Sequence, residues 1–307
     1  MEEVSNMSEL YSAEWIEGVA DAMVVHPAFV EKDYYAVRIL QHLSTFECLG
    51  HRLVFTGGTS LSKGYGLIER FSEDLDFEIA DAARISRSER RTIRHAFAEA
   101  VQSISDISII EQYAEDEGRK YTILISYPRL YPLTAGLREH LKLELFFAPG
   151  PICTEERLVR SFLAEYSQDP HTDVAVLCNH PLHIMADKFN AITWRIGAAE
   201  NGQKFDYTLM RHLHDLCAIH ARYGDAAAFS ELVWEYYRTK DIRRLRDMSF
   251  VEAMNQTCAK LATDVTFKRG YEQFVDSMSY AADENRISYE KAYQCYLTLS
   301  GVIIEHS

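Results

Sequence analysis

Two aspartates at i and i+2, Asp74 and Asp76, lie in the segment Ser72-Glu73-Asp74-Leu75-Asp76-Phe77. Alternate residues of a strand share a face. The two carboxylates therefore aim together, while Leu75 and Phe77 turn into a core. Adjacent carboxylates repel unless a cation sits between them. A hard divalent ion such as Mg²⁺ fits, because it takes oxygen ligands and shares its sphere with phosphates. Upstream, Phe55-Thr56-Gly57-Gly58-Thr59-Ser60-Leu61-Ser62-Lys63 has the pattern strand, glycine turn, helix. Glycines at such a turn admit a ligand that a Cβ would block. The turn amides and the start of the helix make a phosphate cradle. Either motif alone is common at solvated turns and strand edges. Together, separated by about one helix, they set a phosphate cradle beside metal-binding aspartates, which is the apparatus of nucleotide chemistry.

The same pattern assigns roles to neighbouring residues. Gly57, Gly58, Thr59 and Ser60 are expected to hold the β- and γ-phosphates, with Lys63 adding charge one turn into the helix. Arg70 either contacts phosphate or pairs with an acid to hold the turn. Ser72 is expected at the mouth of the site; a phosphoryl group there would bring about −2 charge beside two aspartates, which makes Ser72 a candidate control point. Asp74 and Asp76 are the expected metal ligands for activating an attacking hydroxyl. Glu144, on the alternating segment Leu141-Lys142-Leu143-Glu144-Leu145-Phe146-Phe147, is the candidate third carboxylate from a neighbouring strand. The alternative for Glu144 is a surface pair with Lys142.

The elements that must position these groups are legible from periodicity. Residues 9–24, 32–48 and 86–103 have helical spacing, and 60–71 is expected as the helix after the glycine turn. Strands are expected at 53–55, 75–79, 107–113, 121–127 and 141–147, the last ended by Pro149-Gly150-Pro151. Beyond Pro181 the pattern is almost wholly helical, with helices over 182–196 and 207–223 joined by a link at 197–202. The expectation is an α+β fold of two lobes: a small mixed sheet within residues 1–170 and a mostly helical lobe over 171–307.

Three stretches carry a family resemblance: Glu31-Lys32-Asp33-Tyr34-Tyr35, Phe55 through Tyr65, and Glu69-Arg70-Phe71-Ser72-Glu73-Asp74-Leu75-Asp76-Phe77. They resemble the AbiEii/AbiGii toxins, DNA-polymerase-β-like nucleotidyltransferases of type IV toxin–antitoxin and abortive-infection systems. The match is strongest over residues 31–80 and continues more thinly to about residue 222. The resemblance implies transfer of NMP from an NTP with Mg²⁺ or Mn²⁺. It also implies a tRNA 3′ end as acceptor, inhibition of translation, and a cognate antitoxin. From the second lobe it assigns Lys188, within Asp187-Lys188, to nucleotide phosphate. Asp215, within Arg211-His212-Leu213-His214-Asp215, is assigned to catalysis or to positioning that lysine. His212 stands where the family pattern has an aspartate. The bland reading of Lys188 is a salt bridge with Asp215 or Asp206.

Composition bounds the rest. With 47% hydrophobic and 12% aromatic residues, 307 residues can fill a sizeable core. A net charge of −14 argues against a general nucleic-acid coat protein. It leaves room for local basic patches: Arg84, Arg87, Arg90, Arg91 and Arg94, expected near the aspartates, and Arg238, Lys240, Arg243, Arg244 and Arg246 beside Tyr236 and Tyr237. No apolar run approaches the roughly 20 residues of a membrane span, and Met1-Glu2-Glu3-Val4-Ser5 has no leader features. The six cysteines are scattered without a Cys-x-x-Cys pair, as in a reducing cytoplasm, and do not suggest zinc. His180, His183, His212, His214 and His220 lack metal-ligand spacing; His212 and His214, two apart, are expected on different sides of a helix. Trp194 and Tyr207 are expected in packing. Two other function classes stay open on the residues alone. One is nucleotidyl transfer to a protein or an aminoglycoside-like small molecule; the other is a non-catalytic nucleotide-binding interaction module.

Overall fold

The computed structural model describes residues 11–80, 82–134, 136–148, 152–167, 172–199, 209–245 and 248–306. Pro149-Gly150-Pro151, Asp206, Tyr207 and Arg246 lie outside them. The chain divides into two compact units, Met1–Asn179 and His180–Ser307.

The first unit is built on a seven-stranded mixed sheet. Its strands are β3 (Val54–Thr56), β4 (Asp74–Ile79), β5 (Ser108–Glu115), β6 (Lys120–Ser126), β7 (Leu141–Phe147), β8 (Thr154–Val159) and β9 (Val174–Asn179), in the order β5-β6-β7-β4-β3-β9-β8. A separate pair, β1 (Glu47–Cys48) and β2 (His51–Arg52), precedes them. The central strand β4 runs parallel to β7 and antiparallel to β3. On β4 and β7, Leu75, Phe77 and Ile79 lie beside Leu143, Leu145 and Phe147, all buried on one face. The helices on the unit are α1 (Ala13–Met23), α2 (Pro27–Leu43), α3 (Arg87–Gln102) and α4 (Phe162–Ser167). Phe97 of α3 packs edge-on against Phe77, with ring centroids 5.9 Å apart. The start of α3 is fixed by a capping box in which Ser86 and Glu89 bond each other's backbone N–H groups.

The expected helix over 60–71 is shorter. A single helical turn, Gly57–Thr59, runs into a π-helical turn, Ser60–Gly64, and stops. Gly66 adopts φ +58°, and the Leu67 N–H reaches back to the Leu61 carbonyl. The left-handed Gly66, whose own N–H bonds the Ser62 carbonyl, is an αL-type end, which apolar periodicity alone does not reveal. Strands β8 and β9 carry weak sequence signals. β8 alternates weakly and exposes Leu158. β9 lies directly before the helix at Pro181, so its short apolar run merges with the helical pattern that follows.

The second unit is helical: α5 (Pro181–Gly197), α6 (Met210–His220), α7 (Ala226–Tyr236), α8 (Phe250–Thr263), α9 (Val265–Met278) and α10 (Tyr289–Glu305). Phe189 of α5 stacks on Tyr296 of α10 at 4.8 Å and meets Phe229 of α7 edge-on at 5.7 Å. No helix among the described residues is long and apolar enough to cross a membrane.

Candidate active site

The polar face of β4 carries Asp74, Asp76 and Glu78, opposite the buried face of Leu75, Phe77 and Ile79. Register then selects their neighbours. Asp76 pairs with Glu144 on β7 and with Thr56 on β3, and Asp74 pairs with Lys142. The three carboxylates expected from sequence therefore occupy one sheet face on adjacent strands. Each of two is met by a cation. Arg138 Nη1 lies 2.6 Å from Asp74 Oδ1. Glu144 takes Lys142 at 2.7 Å and Lys120 at 3.0 Å. Glu144 is thus aligned with Asp76 across the parallel register and paired with Lys142. Among the described residues no three His, Cys, Asp or Glu side chains already converge as a closed metal site. The donor chemistry nonetheless fits a hard divalent ion, since Asp74, Asp76 and Glu144 supply only carboxylate oxygens from one face.

The glycine turn closes against this face. Gly57 has φ +77°, and a Cβ there would lie 2.2 Å from Asp76 Oδ2. A Cβ on Gly58 would lie 2.7 Å from both Arg70 Nη2 and Ser72 Oγ. The two glycines are therefore required by close approach, and the approach assembles Gly57, Gly58, Arg70, Ser72 and Asp76. Thr59 Oγ1 donates to the Asp74 carbonyl at 2.5 Å, tying the turn to the end of β4. Ser60 is fully buried. Arg70 is buried and donates to the Phe71 carbonyl at 2.9 Å. Lys63 is directed elsewhere. Its Nζ pairs with Asp33 at 2.7 Å and Glu165 at 3.6 Å, and sits 3.4 Å over the Phe162 ring.

Further residues meet this face. Lys32 and Glu73 form a buried pair at 2.5 Å. Burial pulls the Lys32 amine below its ordinary range, and Glu73 offsets this. Asn179 Nδ2 donates to Glu78 Oε2 at 3.0 Å and to Thr56 Oγ1 at 3.4 Å, bracing the far end of the polar face. Glu78 could have been found from its period-two spacing with Asp74 and Asp76. Arg138 could not, since it lies on a loop between β6 and β7. The adjacent Glu31-Lys32-Asp33 also acquires a structural meaning. Glu31 accepts from the Leu130 and Tyr131 N–H groups, Lys32 holds Glu73, and Asp33 accepts from the Phe162 N–H while pairing with Lys63.

One expectation of placement is corrected. The arginine helix α3 packs on the apolar face of the sheet, opposite the carboxylates. Arg94 lies 5.7 Å over Tyr121, whose strand neighbour Leu145 belongs to that apolar face. Arg90 bonds the Ile85 carbonyl at 2.8 Å. Closeness in sequence misled here because the chain crosses from the sheet to its other side between β4 and α3. Arg91, Arg94 and His95 line a cavity of about 460 Å³ there with Gln112, Tyr113 and Tyr121.

In the second unit, Lys188 of α5 and Asp215 of α6 form an ion pair at 2.8 Å, with Asp215 fully buried. His212 Nδ1 lies 3.2 Å from Lys188 Nζ, and His214 Nδ1 lies 3.4 Å from Asp215 Oδ1. Burial, then the Lys188 charge, drives the His212 pKa well below its ordinary value. A neutral His212 accepts from the ammonium, a role an aspartate could also fill. The two histidines reach opposite ends of one pair. In the second basic patch Lys240 pairs with Asp187 at 3.2 Å and Arg244 with Asp241 at 3.0 Å, so part of its charge is compensated. Arg244 also lies 4.5 Å over Trp194, consistent with a packing role for that ring.

A family model described as "Nucleotidyl transferase AbiEii toxin, Type IV TA system" matches residues 38–295. Among solved structures, MenT4, a nucleotidyltransferase toxin from Mycobacterium tuberculosis H37Rv, aligns with a TM-score of 0.52 at 17% identity. The alignment covers 94% of this chain and 98% of that one. At this identity the likeness shows a shared fold. No curated protein matches the chain in sequence.

Proposed function

The chain belongs to the AbiEii nucleotidyltransferase toxin family of type IV toxin–antitoxin systems, and on that premise we propose that it transfers NMP from an NTP to the 3′ end of tRNA and so inhibits translation in the cytoplasm. Membership implies an NTP substrate, a cognate antitoxin and, usually, a divalent metal. The observation that carries the reading is the approach of Gly57 to Asp76, which sets a backbone cradle against a carboxylate face.

In this reading Asp74 and Asp76, with Glu144 beside them, would hold Mg²⁺ or Mn²⁺. A bound ion of this kind supplies Lewis-acid polarisation of phosphate and lowers the pKa of an attacking hydroxyl. The chain's own groups do the remaining work. The Gly57–Gly58 backbone orients the β- and γ-phosphates, Thr59 braces that turn on the Asp74 carbonyl while Ser60 is buried behind it, and the Arg70 guanidinium at Gly58 neutralises the phosphate charge. Ser72, against the same glycine, limits what enters there. Attack by the acceptor hydroxyl on the α-phosphate forms the new P–O bond, and pyrophosphate leaves. From the second unit, Lys188 is assigned to phosphate, and Asp215 fixes its direction. The buried pair supports this, because a lysine held by an aspartate is pre-oriented. The Lys63–Asp33 pair gives Lys63 a structural role in the cradle helix alongside any phosphate contact.

The α3 arginines lie on the other sheet face, which favours keeping a second acceptor class in view: a protein hydroxyl or an aminoglycoside-like small molecule. Periodate-oxidised tRNA, which lacks the terminal 2′,3′-diol, tests the 3′-end reading. Loss of labelling on oxidised tRNA is expected, and labelling retained on it contradicts transfer to the terminal hydroxyl.

A further inference from the structure

Asp74 is not simply one of two strand carboxylates; its side chain is engaged by a specific arginine delivered on a fixed anchor. The loop from Tyr127 to His140 carries Arg138. Its backbone is pinned at both polar groups by the buried Lys32–Glu73 pair. The Arg138 N–H donates to Glu73 Oε2 at 3.0 Å, and the Arg138 carbonyl accepts from Lys32 Nζ at 2.8 Å. Earlier in the loop, Glu31 holds the Leu130 N–H at 2.6 Å. The anchor residues are nearly inaccessible, with Lys32 and Glu73 side chains 3% and 5% exposed.

The Arg138 head is different. Its side chain is 32% exposed, with Nη1 on Asp74 and Nε 3.5 Å from Glu73. A rigid base and a half-exposed guanidinium make a short swinging cation whose range includes Asp74. Asp74 is itself joined to the glycine turn through Thr59. Lys32 holds Glu73, Arg138 meets Asp74 and Glu73, and Lys120 and Lys142 meet Glu144. Lys32 cannot leave its buried partner without stranding a charge. Lys142 pairs with Glu144, and Lys120 bridges Glu144 and Glu115, away from Asp74. Of the two cations on Glu73 and Asp74, the half-exposed Arg138 is the one able to change partners at low cost. Its planar fork suits phosphate oxygens bidentately, which an ammonium does not match.

We propose that Arg138 is a triphosphate-binding residue of this site that shares Asp74 with the divalent ion, so that metal binding at Asp74 releases the guanidinium to the nucleotide. Lys32 and Glu73 are the positioning residues that fix its base. The inference rests on the nucleotidyltransferase reading of the Asp74–Asp76 face. It makes a signed, two-part prediction. Removing the guanidinium relieves competition at Asp74, so the apo protein binds metal more tightly. Removing it also deletes a phosphate contact, so nucleotide binding weakens.

The test uses the full chain and two equilibrium readouts besides turnover. Free Mn²⁺ is titrated by electron paramagnetic resonance without nucleotide, and a fluorescent non-hydrolysable NTP is titrated at saturating Mg²⁺. Arg138→Ala is expected to bind Mn²⁺ about tenfold more tightly and the nucleotide about tenfold more weakly, the size of one charge-assisted contact. Arg138→Lys keeps the charge and most of the packing. It is expected to bind Mn²⁺ within about twofold of wild type, yet bind nucleotide several-fold more weakly, because it loses the fork. An Arg138→Ala protein whose Mn²⁺ affinity or nucleotide affinity is unchanged overturns the proposal; so does an Arg138→Lys protein with wild-type nucleotide affinity. Asp74→Asn is run in parallel. If it binds Mn²⁺ as wild type does, the metal assignment of the face has failed, not merely the role of Arg138.

Discussion

Gly57→Ala probes the site at its tightest point. Two penalties can be worked from the structure. At φ +77° an L-residue sits in the left-handed region, which costs roughly 1–2 kcal/mol. The new Cβ would also lie 2.2 Å from Asp76 Oδ2, where ordinary van der Waals contact begins near 3.4 Å, so the carboxylate must retreat by about 1 Å. Because the obstructing atom ends a side chain, Asp76 can rotate away, and the fold survives. The strain alone lowers Tm by roughly 2–8 °C for a unit of this size. The displacement is the functional penalty: a shift of about 1 Å in a reacting constellation costs about 10²-fold in rate. The assay is single-turnover transfer of labelled nucleotide, with a thermal melt on the same preparation. The expectation is a fall in rate of about 10² or more with a modest fall in Tm. Gly57→Ala with wild-type rate would refute the argument that the turn is shaped by Asp76. Gly58→Ala differs in kind. Its Cβ meets Arg70 and Ser72, so its effect is expected mainly in the KM for NTP.

The other predictions concern the second unit. Lys188→Met strands a fully buried Asp215 and should destabilise the protein by about 3–5 kcal/mol. Lys188→Met with Asp215→Leu should recover most of that loss in urea melts without restoring activity, and a double variant no more stable than the single one would argue against a stranded charge. His183 is held neutral by burial, and secondarily by His180 and Lys240, with its pKa lowered to about 4. A base depressed on folding contributes stability that is full above its unfolded value near 6.5 and lost as pH falls through about 4. Over that window His183 should cost up to about 3 kcal/mol of stability, an upper bound from the shift. His183→Gln should flatten the pH dependence of Tm between 6.5 and 4, and an unchanged slope would contradict the burial argument.

The carboxylate face was legible because its signals are local. The i, i+2 spacing of Asp74 and Asp76 requires only that β4 be a strand, and Leu75 and Phe77 supply the matching buried face. Strand β7 was readable for the same reason, and the parallel register that sets Glu144 beside Asp76 follows once the two strands are neighbours. The non-local features were not legible. Arg138 meets Asp74 across 64 residues, through a loop with no periodicity. The position of α3 on the far side depends on which way the chain turns as it leaves the end of the central strand β4, which local periodicity does not reveal. The π-helical turn and early stop after Gly57–Thr59 depend on backbone hydrogen bonds near Gly66, hidden beneath an apolar spacing that continues to Phe71.

The central claim is that the Asp74–Asp76 face with its glycine turn transfers NMP onto tRNA. Incubating the purified protein with Mg²⁺, each labelled NTP in turn and total bacterial tRNA tests it most directly, with Asp74→Ala/Asp76→Ala alongside. The account predicts label on tRNA from wild type and none from the double variant. Label that persists in the double variant, or that appears on a protein or small-molecule acceptor while tRNA stays unlabelled, would contradict it.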